Sequence, residues 1–324
     1  MTRGKTVFAD TCAVCHSSKQ PPAGIDSGSE AAAQWYRTSV AQPDFREGNF
    51  LSTDRRYPVS RIKTNACRAL ATNATAGQIW DDFSSETYKT LDSVGTIEMY
   101  DPTDEGRPYR FKGPSGGPGY YRPPSLISMW SSAPFLHNNE IGVFTNDPSV
   151  EGRMRAFNDA IRKLLWPEKR ENIVRRTDRV SSLKVYTSAL PEPLQPLLEE
   201  NFVSRSLRKI TGLSWLVSEG ALEIGPIPKG TPVNLLGNIN LDFNDPRVKV
   251  TDLLQLLGKT KRRLKEIHNR QLSDDEATEV LKQLVPDLLR LSTCPDFRVD
   301  RGHPFGATLP DKDKEALIEF VKTL

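Results

Sequence analysis

The sequence predicts a mainly α chain with long loops and a large insertion. Three observations carry that expectation. Apolar residues recur at helical spacing over residues 3–16, 29–37, 149–166, 250–268, 273–292 and 311–323. The chain spends 24 prolines and 21 glycines among 324 residues, which leaves long irregular connections between those segments. Both ends carry one-sided helices: Gly4, Phe8 and Cys12 share a face near the start, and Leu317, Phe320, Val321 and Leu324 share one at the end. Short strands are expected only near 180–190 and 220–235.

The elements follow in chain order. The first helix runs into Cys12-Ala13-Val14-Cys15-His16 and stops at the loop Ser17-Ser18-Lys19-Gln20-Pro21-Pro22. Residues 113–124 (GPSGGPGYYRPP) read as a surface connection. The helix after Val150 places Met154, Phe157, Ile161 and Leu164 on one stripe, so Met154 reads first as core. Lys259 to Lys265 reads as a solvated helix face, and Trp35, Trp130 and Trp166 read as core residues. Asp311 is placed to cap the last helix.

Composition removes several function classes. Charged residues reach 26%, yet the net charge is only +3, which argues against nucleic acid as a partner. No run of about eighteen uncharged apolar residues is present, so no membrane span is expected. The first twelve residues, MTRGKTVFADTC, lack the apolar stretch of an export signal. Of four cysteines, Cys67 and Cys294 stand far apart and read as two separate buried thiols rather than a bridge.

Cys12 and Cys15 are different. Cys-x-x-Cys-His is the pattern of covalent haem c attachment. Two thiols one helical turn apart meet two vinyl groups on one porphyrin edge, and the adjoining imidazole reaches the iron. A thioredoxin-like pair needs a βαβ context, and a zinc site needs two further ligands at short spacing; neither is legible here. Haem c attached outside the cytoplasm implies a periplasmic location, with the export signal lying outside this chain. A second axial ligand is drawn from His137, His268 and His303 or from Met99, Met129 and Met154. His303 sits in Arg301-Gly302-His303-Pro304-Phe305-Gly306, where glycines permit a tight approach to a flat ligand. His268 lies in a very basic helix, on its solvated side. Spacing alone does not rank His303 above Met154.

Gly4 and Phe8 ahead of the motif resemble the first helix of class I cytochromes. Pro124-Ser125-Leu126, with Ala133-Pro134-Phe135-Leu136-His137-Asn138, resembles a block of the bacterial dihaem cytochrome c peroxidase superfamily. The ending from Gly302 to Leu324 is similar to the rubber-oxygenase branch of that superfamily. The resemblance covers both ends and residues 120–170, is weak from about 171 to 290, and matches only the C-terminal haem half. It implies a single cytochrome c-type haem domain over residues 1–324, closed by its first and last helices, with an insertion at about 171–290. It implies one haem c on Cys12 and Cys15, His16 as proximal ligand, and His303 as distal ligand, with Met154 as the alternative. His137 is then a residue of the haem pocket. The implied role is single-electron transfer to a redox partner protein or to an N-terminal haem domain carried elsewhere. The alternative is a peroxidase or oxygenase acting at this haem, with His137 as acid–base group. One departure is Asn139 where the family has glycine; asparagine tolerates the left-handed backbone region that the turn requires.

Overall fold

The computed structural model describes residues 2–71, 86–102, 104, 106–112, 119–186, 217–218, 221–227, 229–233, 239–240 and 248–324. Parts of the 113–124 loop and of both expected strand regions lie outside the described residues.

Ten helices are present among them: α1 (Thr2–Thr11), α2 (Glu30–Ala41), α3 (Val59–Ile62), α4 (Cys67–Ala71), α5 (Glu86–Lys89), α6 (Val150–Leu165), α7 (Val250–Arg270), α8 (Asp274–Lys282), α9 (Val285–Arg290) and α10 (Asp311–Val321). Seven strands accompany them: β1 (Tyr57–Pro58), β2 (Thr96–Tyr100), β3 (Pro108–Lys112), β4 (Tyr120–Tyr121), β5 (Ser181–Tyr186), β6 (Val217–Ser218) and β7 (Ala221–Ile227). The described residues are 42% helical and 12% strand, so the mainly α, cytochrome c-type class expected from sequence does not describe this chain. The fold is mixed. The reason lies in period-two stretches between the helices. In β2, Ile97 and Met99 point inward between exposed Thr96 and Glu98. β3 pairs with β2 in antiparallel register from Thr96↔Lys112 to Tyr100↔Pro108, which brings Phe111 opposite Ile97. β1 pairs antiparallel with β4, and β5, β7 and β6 form a three-stranded sheet in that order.

Local chemistry sets the helix ends. Ser29 and Ser149 cap α2 and α6 by accepting from the backbone N–H groups of Ala32 and Gly152. Ser273 and Glu276 form a reciprocal capping box on α8. The helix expected over 273–292 is two helices, because Pro286 in the first turn of α9 has no N–H to continue the ladder from α8. Asp311 is not the cap of α10; Pro310 holds that position, and the Asp311 carboxylate instead accepts from Trp166 Nε1 at 2.9 Å.

Among the described residues three apolar cores form. The largest joins both chain ends: Phe8, Ala13, Val40 and Phe45 pack with Phe157 and Ile161 of α6 and with Leu317, Ile318 and Phe320 of α10. α1 crosses α10 at Gly4, where an added Cβ would meet the Ala316 carbonyl and lie 2.8 Å from Phe320 Cβ. The Phe8 ring stands edge-on to Phe320 and Phe45, at centroid distances of 5.2 and 6.2 Å. A second core gathers Val59, Ala66, Leu70, Ile97, Met99 and Phe111 with Cys294. A third gathers Leu256, Leu284, Leu288, Leu291 and Phe297. Among the described residues no helix is long and apolar enough to cross a membrane.

Candidate functional site

α1 stops at Thr11, short of the expected residue 16, and the change of winding there forms the cysteine turn. Ala13 N–H reaches back five residues to the Phe8 carbonyl, while Cys15 N–H reaches back only three, to Cys12. His16 N–H then returns to the Cys12 carbonyl at 2.8 Å. The widened and then tightened turn presents Cys12, Cys15 and His16, all half-buried, beside one another. Both thiols are free, and burial with help from Cys15 pushes Cys12 up to about 12, so it rests as the protonated thiol.

The loop after the motif is fixed from below. Buried Asn49 accepts from Ser18 N–H at 2.9 Å and donates through Nδ2 to Ser17 Oγ at 3.1 Å. Ser18 Oγ accepts from Phe50 N–H at 2.9 Å. This register brings the 50–54 segment alongside 122–126: Leu126 N–H donates to the Leu51 carbonyl, and Ser52 Oγ to the Pro123 carbonyl. Pro124 is thereby seated over His16, whose Nδ1 lies 3.2 Å from the Pro124 carbonyl oxygen. A carbonyl only accepts, so Nδ1 carries the proton and Nε2 keeps its lone pair. Burial pulls the His16 pKa down to about 4, against the opposite pull of the Pro124 and Leu51 carbonyls, so the ring is neutral at pH 7.

His303 lies in the loop between α9 and α10. Its loop is gripped at successive carbonyls: Arg298 O by Asn65 Nδ2 at 3.0 Å, Val299 O by Asn138 Nδ2 at 2.7 Å, and Arg301 O by Thr64 Oγ1 at 2.7 Å and Asn65 N–H at 3.0 Å. The buried Asp300 carboxylate accepts from Asn172 N–H at 2.7 Å. The His303 pKa falls to about 4, first from burial and then because the charges of His16 and Arg170 oppose its protonation. Its Nδ1 is buried without a hydrogen-bond partner among the described residues. The structure therefore brings His16 and His303 within electrostatic reach of each other. Cys12 and Val14 of the turn are half-buried against the first core, as are Trp35, Met129, Phe135 and Leu309.

The other sequence candidates fall elsewhere. Met154 is half-buried against the first core, on the stripe its spacing gave it. His137 is exposed, stacks on Tyr121 at a centroid distance of 6.2 Å, and has its pKa lowered by burial and by Arg68. Asn139 does adopt the left-handed region, with φ of 57°. Cys67 and Cys294 are not two separate thiols; they are joined as a disulfide between α4 and the segment after α9. Among the described residues no cluster of three or more His, Cys, Asp or Glu side chains is arranged around a bare metal ion. Pro124 and Asn49 were not legible in advance. Their roles are a main-chain acceptor and a loop bracket, and neither leaves a sequence signature beyond a turn-forming residue.

The donor set fits a covalently held haem: two free thiols on one turn, a neutral imidazole held through Nδ1, and a second neutral imidazole within its electrostatic reach. Compared with known proteins, the chain matches no family model, no curated protein and no solved structure.

Proposed function

We propose that this chain binds one haem c through Cys12, Cys15 and His16 and passes single electrons to or from a redox partner protein, or a haem domain outside this chain. The observation that carries the reading is the hydrogen bond from His16 Nδ1–H to the Pro124 carbonyl, one residue after two free thiols. It fixes the tautomer and the ring plane, which is how a metal-ligating histidine is usually held. When bound, haem c supplies a reversible one-electron couple. The chain's own residues do the rest. Cys12 and Cys15 anchor, His16 offers Nε2, and His303 offers a second imidazole kept neutral by burial. The apolar core against which Cys12 and Val14 pack shields that side of the turn from water, which lowers the local dielectric and bears on the potential. Two neutral imidazoles favour electron transfer over the alternative, a peroxidase or oxygenase, which needs an open sixth position. The Cys67–Cys294 disulfide favours an oxidising compartment such as the periplasm.

The test is expression with an export signal and a haem-attachment system, followed by a pyridine haemochrome spectrum. One thioether-linked haem per chain is expected, and a Cys12→Ala, Cys15→Ala variant should lose it entirely. A His303→Ala variant should turn high-spin. A colourless exported parent with both thiols free would sink the reading.

A further inference from the structure

The histidine loop is seated on the end of α6, and Arg170 hydrogen-bonds both. The last carbonyls of any helix lack intrahelical partners. Here Trp166 and the turn from Pro167 to Lys169 reverse the chain, so that Arg170 folds back along the helix it has just left. Its Nε donates to Lys163 O at 2.8 Å and its Nη2 to Leu164 O at 2.9 Å. Its Nη1 reaches across to Gly302 O at 3.4 Å, the carbonyl immediately before His303. Gly302 itself occupies a notch: an added Cβ would lie 2.7 Å from Ile141 Cδ1, 2.8 Å from Leu164 Cδ1 and 3.5 Å from Arg170 Nη2. Burial draws the guanidinium pKa down, while the Asp300 charge opposes that and keeps the cation in place.

We propose that Arg170 is the positioning residue for His303: its forked guanidinium locks the Gly302–His303 corner to the C-terminal end of α6 and so sets where the imidazole stands. Resting on the haem reading, this gives the His303 ligand its rigidity. It also makes α6 the rigid body that carries the ligand, through a residue whose bonds run to the Lys163, Leu164 and Gly302 carbonyls. The fork is what matters. A lysine ammonium is a point charge on a flexible stem and does not span three carbonyls from one plane.

The experiment uses the full chain as purified, with Arg170→Met and Arg170→Lys variants. Acylation of each histidine by diethyl pyrocarbonate is followed by peptide mass spectrometry, which reports with or without haem. His303 should react at least about tenfold faster in both variants, because charged, buried hydrogen bonds have been lost. Exposed His268, far along the chain on α7, should react at the parental rate. In haem-loaded protein both variants should show a raised high-spin fraction. Equal His303 rates in parent and Arg170→Met would overturn the proposal. So would parental behaviour of Arg170→Lys, which would leave charge alone as the role, or parallel acceleration of His16 in haem-free protein, which would mean general loosening. Absence of haem in the parent would remove the proposed function, and the His303 rates would still decide the clamp.

Discussion

The region built from the chain ends and the region around β2, β3 and Cys294 solve the same problem with different chemistry. In the first, α1, α2, α6 and α10 each contribute an apolar stripe, and three phenylalanine rings meet edge-on in a nearly all-apolar centre. In the second, the strands are at most five residues long and the apolar cluster is small. Polar devices fill the deficit. A disulfide joins Cys67 to Cys294, Tyr109 donates to Pro295 O at 3.2 Å, and Tyr121 donates to Asn65 O at 2.8 Å. Arg298 and Arg301 lie over the Tyr100 ring at 4.1 and 4.8 Å. Long one-sided helices bury enough area to need no staple, whereas short hairpins do not. The candidate site spans the two regions. His16 belongs to the first, and the loop leading to His303 is held by the second.

Three measurements would break or sharpen this contrast. The largest effect is expected for Phe8→Ala, which empties the aromatic centre and should cost about 3–5 kcal/mol in denaturant unfolding. Hydrogen exchange should then rise in α1 and α10 before it rises in β2 and β3. Simultaneous loss of protection in both would mean that the regions unfold as one unit and that the contrast is only descriptive. Next comes the Cys67→Ser, Cys294→Ser pair, expected to cost about 2–4 kcal/mol. Here the exchange should rise first in β2, β3 and residues 294–303, the reverse order. An unchanged exchange map would show that the apolar cluster suffices there.

The smallest effect concerns Asp296. Burial raises its carboxyl pKa above the ordinary 3.8, against the pull of Arg301 and Arg298. The unfolded carboxyl ionises first, so between 3.8 and the raised folded value the native state holds more protons. Stability should therefore fall as pH rises through that window. Asp296→Asn should abolish this part of the slope. A parental slope in the variant would place the titration elsewhere.

Legibility in the sequence followed the range of the forces involved. The turn at Cys12 and the helix of residues 150–165 depend on neighbours within a few positions, and local spacing exposed them; the left-handed Asn139 was expected from the resemblance, which has glycine there. The β2–β3 hairpin was also local, but its alternation of Ile97 with Met99 and of Tyr109 with Phe111 passed unread between helical patterns. That omission led to the wrong fold class. Pro286, likewise visible, divides what read as one helix. The bridge between Cys67 and Cys294 closes a separation of 227 residues, and nothing near either cysteine announces it.

Alone, the amino-acid order determined where the backbone winds into helices and which five residues form the cysteine turn, because those depend on bonds and side chains a few positions apart. Only tertiary structure decided that the Pro124 carbonyl accepts from His16 Nδ1–H, that Arg170 ties α6 to Gly302, and that protonation of His16 opposes protonation of a ring 287 positions away. Main-chain acceptors look alike in every residue, and electrostatic reach depends on distance through space.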